Sequence, residues 1–248
     1  MSSTIRIGTA GWTIPRLARD RFPAEGSQLE RYSARLSCVE INSSFYRPHR
    51  LETYRRWADA VGPDFRFAVK LPKEITHQRR LADVEGAMQV FAEQIAGLGD
   101  KLGVVLIQLP PSLAFDAGLA SCFLVAGGAT LRTQLALEPR HPSWFADEAD
   151  ALLNERRVAR VAADPPPVPE AAVPGGWRSF VYYRLHGSPH IYRSDYHPDA
   201  IEAHARSAVQ AMQMSETWVI YDNTTLGAAA GNALDLSDRF HRSLQASP

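Results

Sequence analysis

Charged and polar side chains follow several short apolar runs of the chain, at the positions where strands would end. Carboxylates, an amine and imidazoles in such places can transfer protons, and guanidinium groups can bind carboxylate or phosphate through two parallel hydrogen bonds. We therefore predict a catalytic set and a substrate-binding set. The catalytic set is Glu40, Lys70, Glu138, Asp164 and His186; the substrate-binding set is Asn42, His77, Gln108, Arg140, His141, Arg184 and Asn223.

The elements that would position these residues are strands alternating with helices. Short apolar runs alternate with longer amphipathic stretches, which is typical of βα units. Eight such units favour a single (β/α)8 TIM-like barrel over residues 1–248, a length that suits one domain of this kind, and an open doubly wound sheet is the alternative. The predicted strands are 5–10, 38–42, 65–70, 103–109, 135–138, 158–163, 180–185 and 217–221.

One unit departs from this alternation. Between the sixth and seventh predicted strands, residues 164–176 contain five prolines. Proline is excluded from helix interiors because it lacks a backbone N–H and clashes with the preceding turn. We predict that a Pro-rich loop replaces the helix after strand six. The pair Gly127-Gly128 predicts a turn before the fifth strand.

Strand register decides which side chains share the barrel interior. Successive side chains of a barrel strand point inward and toward the helices in turn. The aliphatic residues mark the helix-facing side, which places Glu138 inside in the fifth strand and Asp164 inside in the sixth. In the last strand, Tyr221 and Asn223 point inward if Ile220 faces a helix. Because catalytic residues of this fold lie at the carboxyl ends of its strands, the inward polar side chains at these ends, called the polar tips below, form one candidate site.

Three interpretations of the polar tips are open. The leading one is an enzyme that acts on a polar or anionic small molecule by proton transfer or hydrolysis, with Arg140 and Arg184 binding the anion and with no cofactor or metal. A second is a nucleic-acid-binding barrel, with or without a metal-dependent phosphodiesterase activity of the endonuclease kind. The third is a purely structural network in which the carboxylates Glu40, Glu138 and Asp164 neutralise the neighbouring cations.

Composition and motifs exclude several classes of protein. The formal net charge is +0, so no overall positive field attracts nucleic acid or anionic membranes, although residues 1–80 carry 15 Lys and Arg against 8 Asp and Glu. Cys38 and Cys122 are the only cysteines and cannot build a disulfide framework or a four-cysteine metal site. GxGxxG, Walker-type and GxSxG sequences do not occur. With no signal-peptide or membrane-spanning pattern, we expect a cytoplasmic protein.

Lysine is rare in this chain. Three lysines, Lys70, Lys73 and Lys101, stand against 24 arginines. Two of the three lie at or just after the end of the third predicted strand. An amine can titrate near neutral pH when its surroundings change, whereas a guanidinium cannot. The use of lysine at this strand end is therefore a signal of chemistry.

A set of short motifs runs along the chain in order. They are Gly8-Thr9-Ala10-Gly11-Trp12, Val39-Glu40-Ile41-Asn42-Ser43-Ser44-Phe45-Tyr46, Phe67-Ala68-Val69-Lys70, Ile75-Thr76-His77, Gln108-Leu109-Pro110-Pro111-Ser112, Glu138-Pro139-Arg140-His141-Pro142-Ser143-Trp144, Tyr183-Arg184-Leu185-His186-Gly187, Asn223 and Gly231-Asn232-Ala233. Together these motifs resemble the YecE-like family, a barrel family catalogued as domain of unknown function 72. The resemblance implies a TIM-like barrel with its candidate site at the same strand ends, and it implies no reaction. Ala10 stands where we expect serine in many relatives, and Tyr221-Asp222-Asn223 stands where we expect a Phe-Asn-Asn ending.

Overall fold

The structure is a computed structural model that describes residues 4–245, with side chains described through residue 242. Within that range the strands are β1 (Ile5–Ala10), β2 (Cys38–Ile41), β3 (Arg66–Lys70), β4 (Leu102–Gln108), β5 (Gln134–Glu138), β6 (Val158–Arg160), β7 (Ala162–Asp164), β8 (Gly175–Gly176), β9 (Phe180–Leu185) and β10 (Glu216–Tyr221). They form one ten-stranded sheet, in the order β7-β9-β10-β1-β2-β3-β4-β5-β6-β8. All pairs are parallel except β6 with β8.

The sheet nearly closes into a barrel because β6 and β7 flank a single residue, Val161. β6 pairs with β5 and β7 pairs with β9, so the chain changes its strand partner at this residue. The Val161 N–H still donates to the Leu137 carbonyl at 2.9 Å. The stretch 158–163, predicted as one strand, is therefore two short strands. The predicted α/β barrel is confirmed at the level of a nearly closed barrel of mostly parallel strands.

Helices follow the strands and cover the outside of the barrel. Local chemistry sets several of their starts: Ser27 and Glu30 form a reciprocal capping box at α1, and the Asp116 carboxylate accepts the Leu119 N–H at α5. Pro198 occupies the first turn of α7, where its missing N–H costs nothing. The helices are α1 (Gln28–Ser33), α2 (Ser43–Tyr46), α3 (Leu51–Asp59), α4 (Glu85–Ile95), α5 (Ala117–Leu131), α6 (Asp147–Glu155), α7 (Pro198–Met212) and α8 (Ala228–Gln245).

The turn predicted at Gly127-Gly128 is wrong, because both glycines lie inside α5. A glycine in a helix interior costs about 1 kcal/mol relative to alanine. Gly127 is buried, and a Cβ there would lie 3.6 Å from the Met88 sulfur of α4. Close packing of α5 on α4 thus offsets the low helix propensity. The left-handed residue Arg132 (φ 49°) follows the helix.

The Pro-rich segment between β7 and β9 is ordered by two short elements. Residues Pro169–Ala172 form one 3-10 turn, and β8 pairs antiparallel with β6. The Asp150 carboxylate of α6 accepts both the Gly176 N–H at 2.8 Å and Arg160 Nε at 2.9 Å. The segment is therefore pinned to β6 and α6 rather than forming a plain loop.

The barrel interior beneath the strand ends is filled by apolar side chains. Large aromatics of β9 and β10 face small residues of β3 and β5: Tyr182 stacks on Trp218 at 6.0 Å between ring centroids, opposite Ala68 and Ala136. Close packing of this kind leaves a core and not a pore. A site in the interior can therefore open only at the carboxyl ends of the strands. No helix within residues 4–245 is long and apolar enough to cross a membrane.

Candidate functional site

Arg184 of β9 stands at the centre of a buried charged cluster at the carboxyl ends of the strands. Its side chain is fully buried. Glu40 binds it through both oxygens, at 3.0 Å from Nε and 2.6 Å from Nη2. Glu138 accepts from Nη1 at 2.8 Å, and Asp222 lies 2.9 Å from Nη2. Every nitrogen of the guanidinium therefore has a carboxylate partner, which suits the fork geometry of arginine.

His186 links two of these carboxylates. Its Nδ1 lies 3.0 Å from Asp222 Oδ2 and its Nε2 lies 2.9 Å from Glu138 Oε1. Burial disfavours the imidazolium, but Glu138 and the hydrogen bonds to both carboxylates outweigh it and raise the pKa of His186. Burial also opposes ionisation of Glu138, yet Arg184 and His186 hold the pKa of this carboxyl well below its usual range. The two carboxylates thus stabilise the protonated form of the ring.

Lys70 lies in the same cluster but is not hydrogen-bonded into it. Its side chain is 7% exposed, and Nζ sits 4.2 Å from the centroid of the Phe45 ring. Among the described residues Nζ has no hydrogen-bond or ion-pair partner. Burial first, and then the charge of Arg184, lower the pKa of Lys70 to about 8, against the opposing pull of the carboxylates. About a tenth of this amine is neutral at pH 7, against about 0.04% for an ordinary lysine.

The open end of the barrel at the carboxyl ends of the strands, called the mouth below, carries further polar groups at its rim. Arg140 is one quarter exposed and uses only Nη2, which donates to Glu138 Oε1 and to the Tyr192 hydroxyl, each at 3.2 Å. Its Nε and Nη1 bind no other residue in the described part of the chain. A π-helical turn, Glu74–Gln78, brings the His77 ring to 5.0 Å from Phe45. Burial, Lys70 and Arg140 lower the pKa of His77.

The mouth carries a surplus of positive charge when His186 is protonated. Three carboxylates stand against Arg184, Arg140, the raised-pKa His186 and a mostly protonated Lys70; the three are Glu40, Glu138 and Asp222. Low-dielectric walls strengthen such a surplus. The mouth is therefore suited to an anionic ligand.

Most predicted site residues meet in this cluster. Those brought together are Glu40, Lys70, Gln108, Glu138, Arg140, Arg184 and His186. Gln108 donates to Glu138 Oε2 at 3.0 Å. Asn42 follows β2 at the level where Lys70 ends β3, and its Oδ1 is buried without a partner in the described residues. The structural network expected among the carboxylates and cations exists in part, between Glu40 or Glu138 and the two arginines, and it leaves Lys70 out.

Asp164, predicted to be catalytic, does not point into the cluster. The interior cluster holds Val161, so the alternation turns the Asp164 side chain to the helix side, where its charge acts on Tyr196 and His204. Only its backbone reaches the site, as its carbonyl accepts the His186 N–H at 2.6 Å. The inward placement of Asp164 is therefore wrong: Ala159 and Val161 occupy the inward positions, and the residues before Asp164 are apolar on both faces, so the sequence did not show which face points inward.

The register predicted for the last strand is wrong as well. Ile220 faces the interior, so Asp222 points into the cluster, and Tyr221 and Asn223 do not. Asn223 donates to the Ser194 carbonyl and to Asn232, each at 2.8 Å, and so orders a loop. Asp222 was missed, although two signals could have found it. It alternates with Trp218 and Ile220, and it departs from the ending expected of the family.

Two other predicted binding residues have structural roles in this arrangement. The His141 Nδ1 accepts the Ser143 N–H and thereby caps the turn Pro142–Phe145. Arg184 has no exposed surface, and its nitrogens are all engaged by carboxylates, so it does not present donors to a ligand as expected. Within residues 4–245, no group of three or more His, Cys, Asp or Glu side chains is arranged to hold a metal ion.

A cleft of about 600 Å³ adjoins the mouth on the side of α2, the π-helical turn and α4. Phe45 lines this cleft and also lies beneath the Lys70 ammonium. The other lining residues include Tyr46, Lys73, Arg79 and Val90. The Phe45 ring thus separates an open cleft from the buried amine.

The fold and the site define an α/β barrel protein with a buried charged cluster at the carboxyl ends of its strands. The chain belongs to the family described as Protein of unknown function DUF72, whose model matches residues 6–248. It is 30% identical over 169 residues to the UPF0759 protein YecE of Escherichia coli K12, covering 66% of this chain and 60% of that protein. The match thus spans less than two thirds of this relative. The resemblance read from the sequence is confirmed.

Solved structures share the fold. A crystal structure of a DUF72 family protein from Enterococcus faecalis matches with a TM-score of 0.81 and 22% identity over 96% of each chain. A xylose isomerase-like TIM barrel/4-hydroxyphenylpyruvate dioxygenase fusion protein matches with a TM-score of 0.54 and 13% identity, over 98% of this chain and 44% of that one. At such identities the likeness shows a TIM-barrel-like fold alone. The nucleic-acid interpretation gains no support from these relatives.

Proposed function

We propose that this protein is an enzyme that acts on a small anionic molecule at the carboxyl-terminal mouth of its barrel, with Lys70 as the reactive group. The fold on this proposal is a single-domain (β/α)8 barrel in which β6 and β7 are halves of one strand. The observation that carries the proposal is that Lys70 is largely buried beside carboxylates while its amine is bonded to none of the described residues. A lysine with a purely structural role beside three carboxylates would pair with one of them, because a largely desolvated charge without a partner is costly.

The other groups divide into two roles. Arg140 and His77, at the rim, would contact the substrate, and the free guanidinium donors of Arg140 would bind its anionic group. Arg184, Glu138 and His186 would act as positioning residues, because their hydrogen bonds hold the cluster rigid around Lys70. A buried network satisfied in this way fixes geometry and holds the local charge.

The test is an NMR titration of lysine labelled with an NMR-active carbon isotope at Cε. Three lysines give three signals, which Lys70→Arg, Lys73→Arg and Lys101→Arg assign. We expect the Lys70 signal to titrate near 8, and inorganic phosphate or acetate to shift it and raise its midpoint. The exposed Lys73 serves as the reference for non-specific effects. A Lys70 that titrates at the ordinary value of about 10.4 and ignores both anions refutes the proposal.

A further inference from the structure

The amine of Lys70 donates to none of the three carboxylates that act on its charge, and each of them already has other donors. Glu40 accepts hydrogen bonds from Arg184 and from the Tyr182 hydroxyl. Glu138 binds Arg184, His186, Gln108 and Arg140. Asp222 contacts both Arg184 and His186 through Oδ2. Without a carboxylate paired to it, the ammonium loses its proton more readily, and the neutral amine that results has a lone pair available for bond formation. Lys70 therefore has the arrangement of a nucleophile.

The surroundings of this amine suit a planar cation formed on it. The Phe45 ring lies 4.2 Å from Nζ and offers an aromatic face to positive charge. Asn42 Oδ1, buried at the neighbouring strand end, has no hydrogen-bond partner among residues 4–242. A buried carbonyl oxygen without a donor is costly and would accept a hydroxyl or water hydrogen during a reaction. The site thus offers an aromatic face to a cation and, at the neighbouring strand end, an acceptor without a donor.

We propose that Lys70 forms a covalent imine with a small aldehyde or ketone that carries a carboxylate or phosphate group bound by Arg140. This inference rests on the proposed function and deepens it by naming the bond and the substrate class. The Nζ lone pair attacks the carbonyl carbon, and the carbonyl oxygen accepts a proton to give a carbinolamine. The oxygen then leaves as water while the C=N bond forms. The ammonium gives two protons to that water and the iminium keeps one, so the positive charge of Lys70 is conserved.

Conservation of that charge matters in a cluster of buried ions. The carboxylates Glu40, Glu138 and Asp222 all act on the charge of Lys70. Because the iminium replaces one positive charge by another, none of them has to change its protonation state. An uncharged adduct would instead leave negative charge less compensated in a buried environment, which is costly.

The test traps the imine by reduction with cyanoborohydride and locates it by peptide mass spectrometry. The probes are glyoxylate, which carries a carboxylate, glycolaldehyde phosphate, which carries a phosphate, and neutral glycolaldehyde. At pH 7 we expect at least one anionic aldehyde to label Lys70 at least about tenfold faster than Lys73, although Lys73 is exposed, because more of the Lys70 amine is neutral. The better anionic probe identifies the anionic group that the site prefers.

Two variants separate the possible outcomes. Arg140→Gln should remove the preference for the anionic aldehydes over glycolaldehyde and leave labelling of Lys73 unchanged. Lys73→Arg should leave labelling of Lys70 unchanged. If both anionic aldehydes label Lys70 no faster than Lys73, the imine is refuted. In that case a Lys70 that still titrates near 8 and responds to phosphate would leave the proposed function standing.

Discussion

Replacing Arg184 by methionine tests whether the charged cluster is held together as the structure indicates. The substitution removes four contacts to carboxylates and leaves Glu40, Glu138 and Asp222 buried without their main cation. Breaking a buried pair in this way costs about 3–5 kcal/mol. For a chain of this size each kcal/mol corresponds to roughly 2–4 °C in Tm. We therefore expect Arg184→Met to lower Tm by roughly 6–20 °C at pH 7.

The loss should depend on pH. Burial raises the pKa of Glu138 and Asp222, and Arg184 is the largest influence that lowers it. In the wild type these depressed pKa values give stability that is present above the unfolded values of about 4 and lost as pH falls. Without Arg184 the two pKa values rise above the unfolded values, so the variant is penalised most at neutral pH. The stability gap should narrow between pH 7 and pH 5.

Urea denaturation of wild type, Arg184→Met and Arg140→Met at both pH values measures this gap. Arg140 is one quarter exposed and contacts Glu138 through one nitrogen, so its loss should cost only about 1 kcal/mol. If Arg184→Met does not fold at pH 7, the comparison is made at pH 5 and with Arg184→Lys. An Arg184→Met variant that loses no more than Arg140→Met, or the same amount at both pH values, would refute the reasoning.

Two further predictions concern register and packing. Asp222→Asn should lower the pKa of Lys70 below about 8, because the charge of Asp222 raises it. Asp164→Asn should leave the pKa of Lys70 unchanged. Equal shifts of the two variants in the lysine NMR titration would contradict the inward placement of Asp222 and the outward placement of Asp164. Gly8→Ala should cost about 1–3 kcal/mol in urea denaturation, because its Cβ would clash with the Cys38 carbonyl oxygen of β2. Gly86→Ala, with open space around it, should gain up to about 1 kcal/mol. A Gly8→Ala variant as stable as the wild type would show that the β1–β2 contact is looser than described.

The inward residues of uninterrupted strands could be predicted from the sequence. Glu40, Lys70, Glu138 and Arg184 lie in strands where apolar or aromatic residues occupy every second position toward the helices, so the helix-facing set identifies the inward set. The same rule assigned Asp164 and Asn223 to the wrong side. In both cases the residues before the polar tip are apolar on each face, because the lower barrel interior is as apolar as the helix layer. The alternation of residue types then does not show which face of the strand points into the barrel.

The sequence by itself determined the element order, the barrel class, the family and the residue types available at the strand ends. Only the tertiary structure decided which carboxylates meet Arg184 and which cation is left without one. Glu40, Glu138 and Asp222 are far apart in the chain and converge on Arg184 because the sheet nearly closes. Lys70 has no carboxylate partner for the same reason, since the carboxylates that act on its charge are engaged by side chains of strands that local sequence patterns do not connect to it.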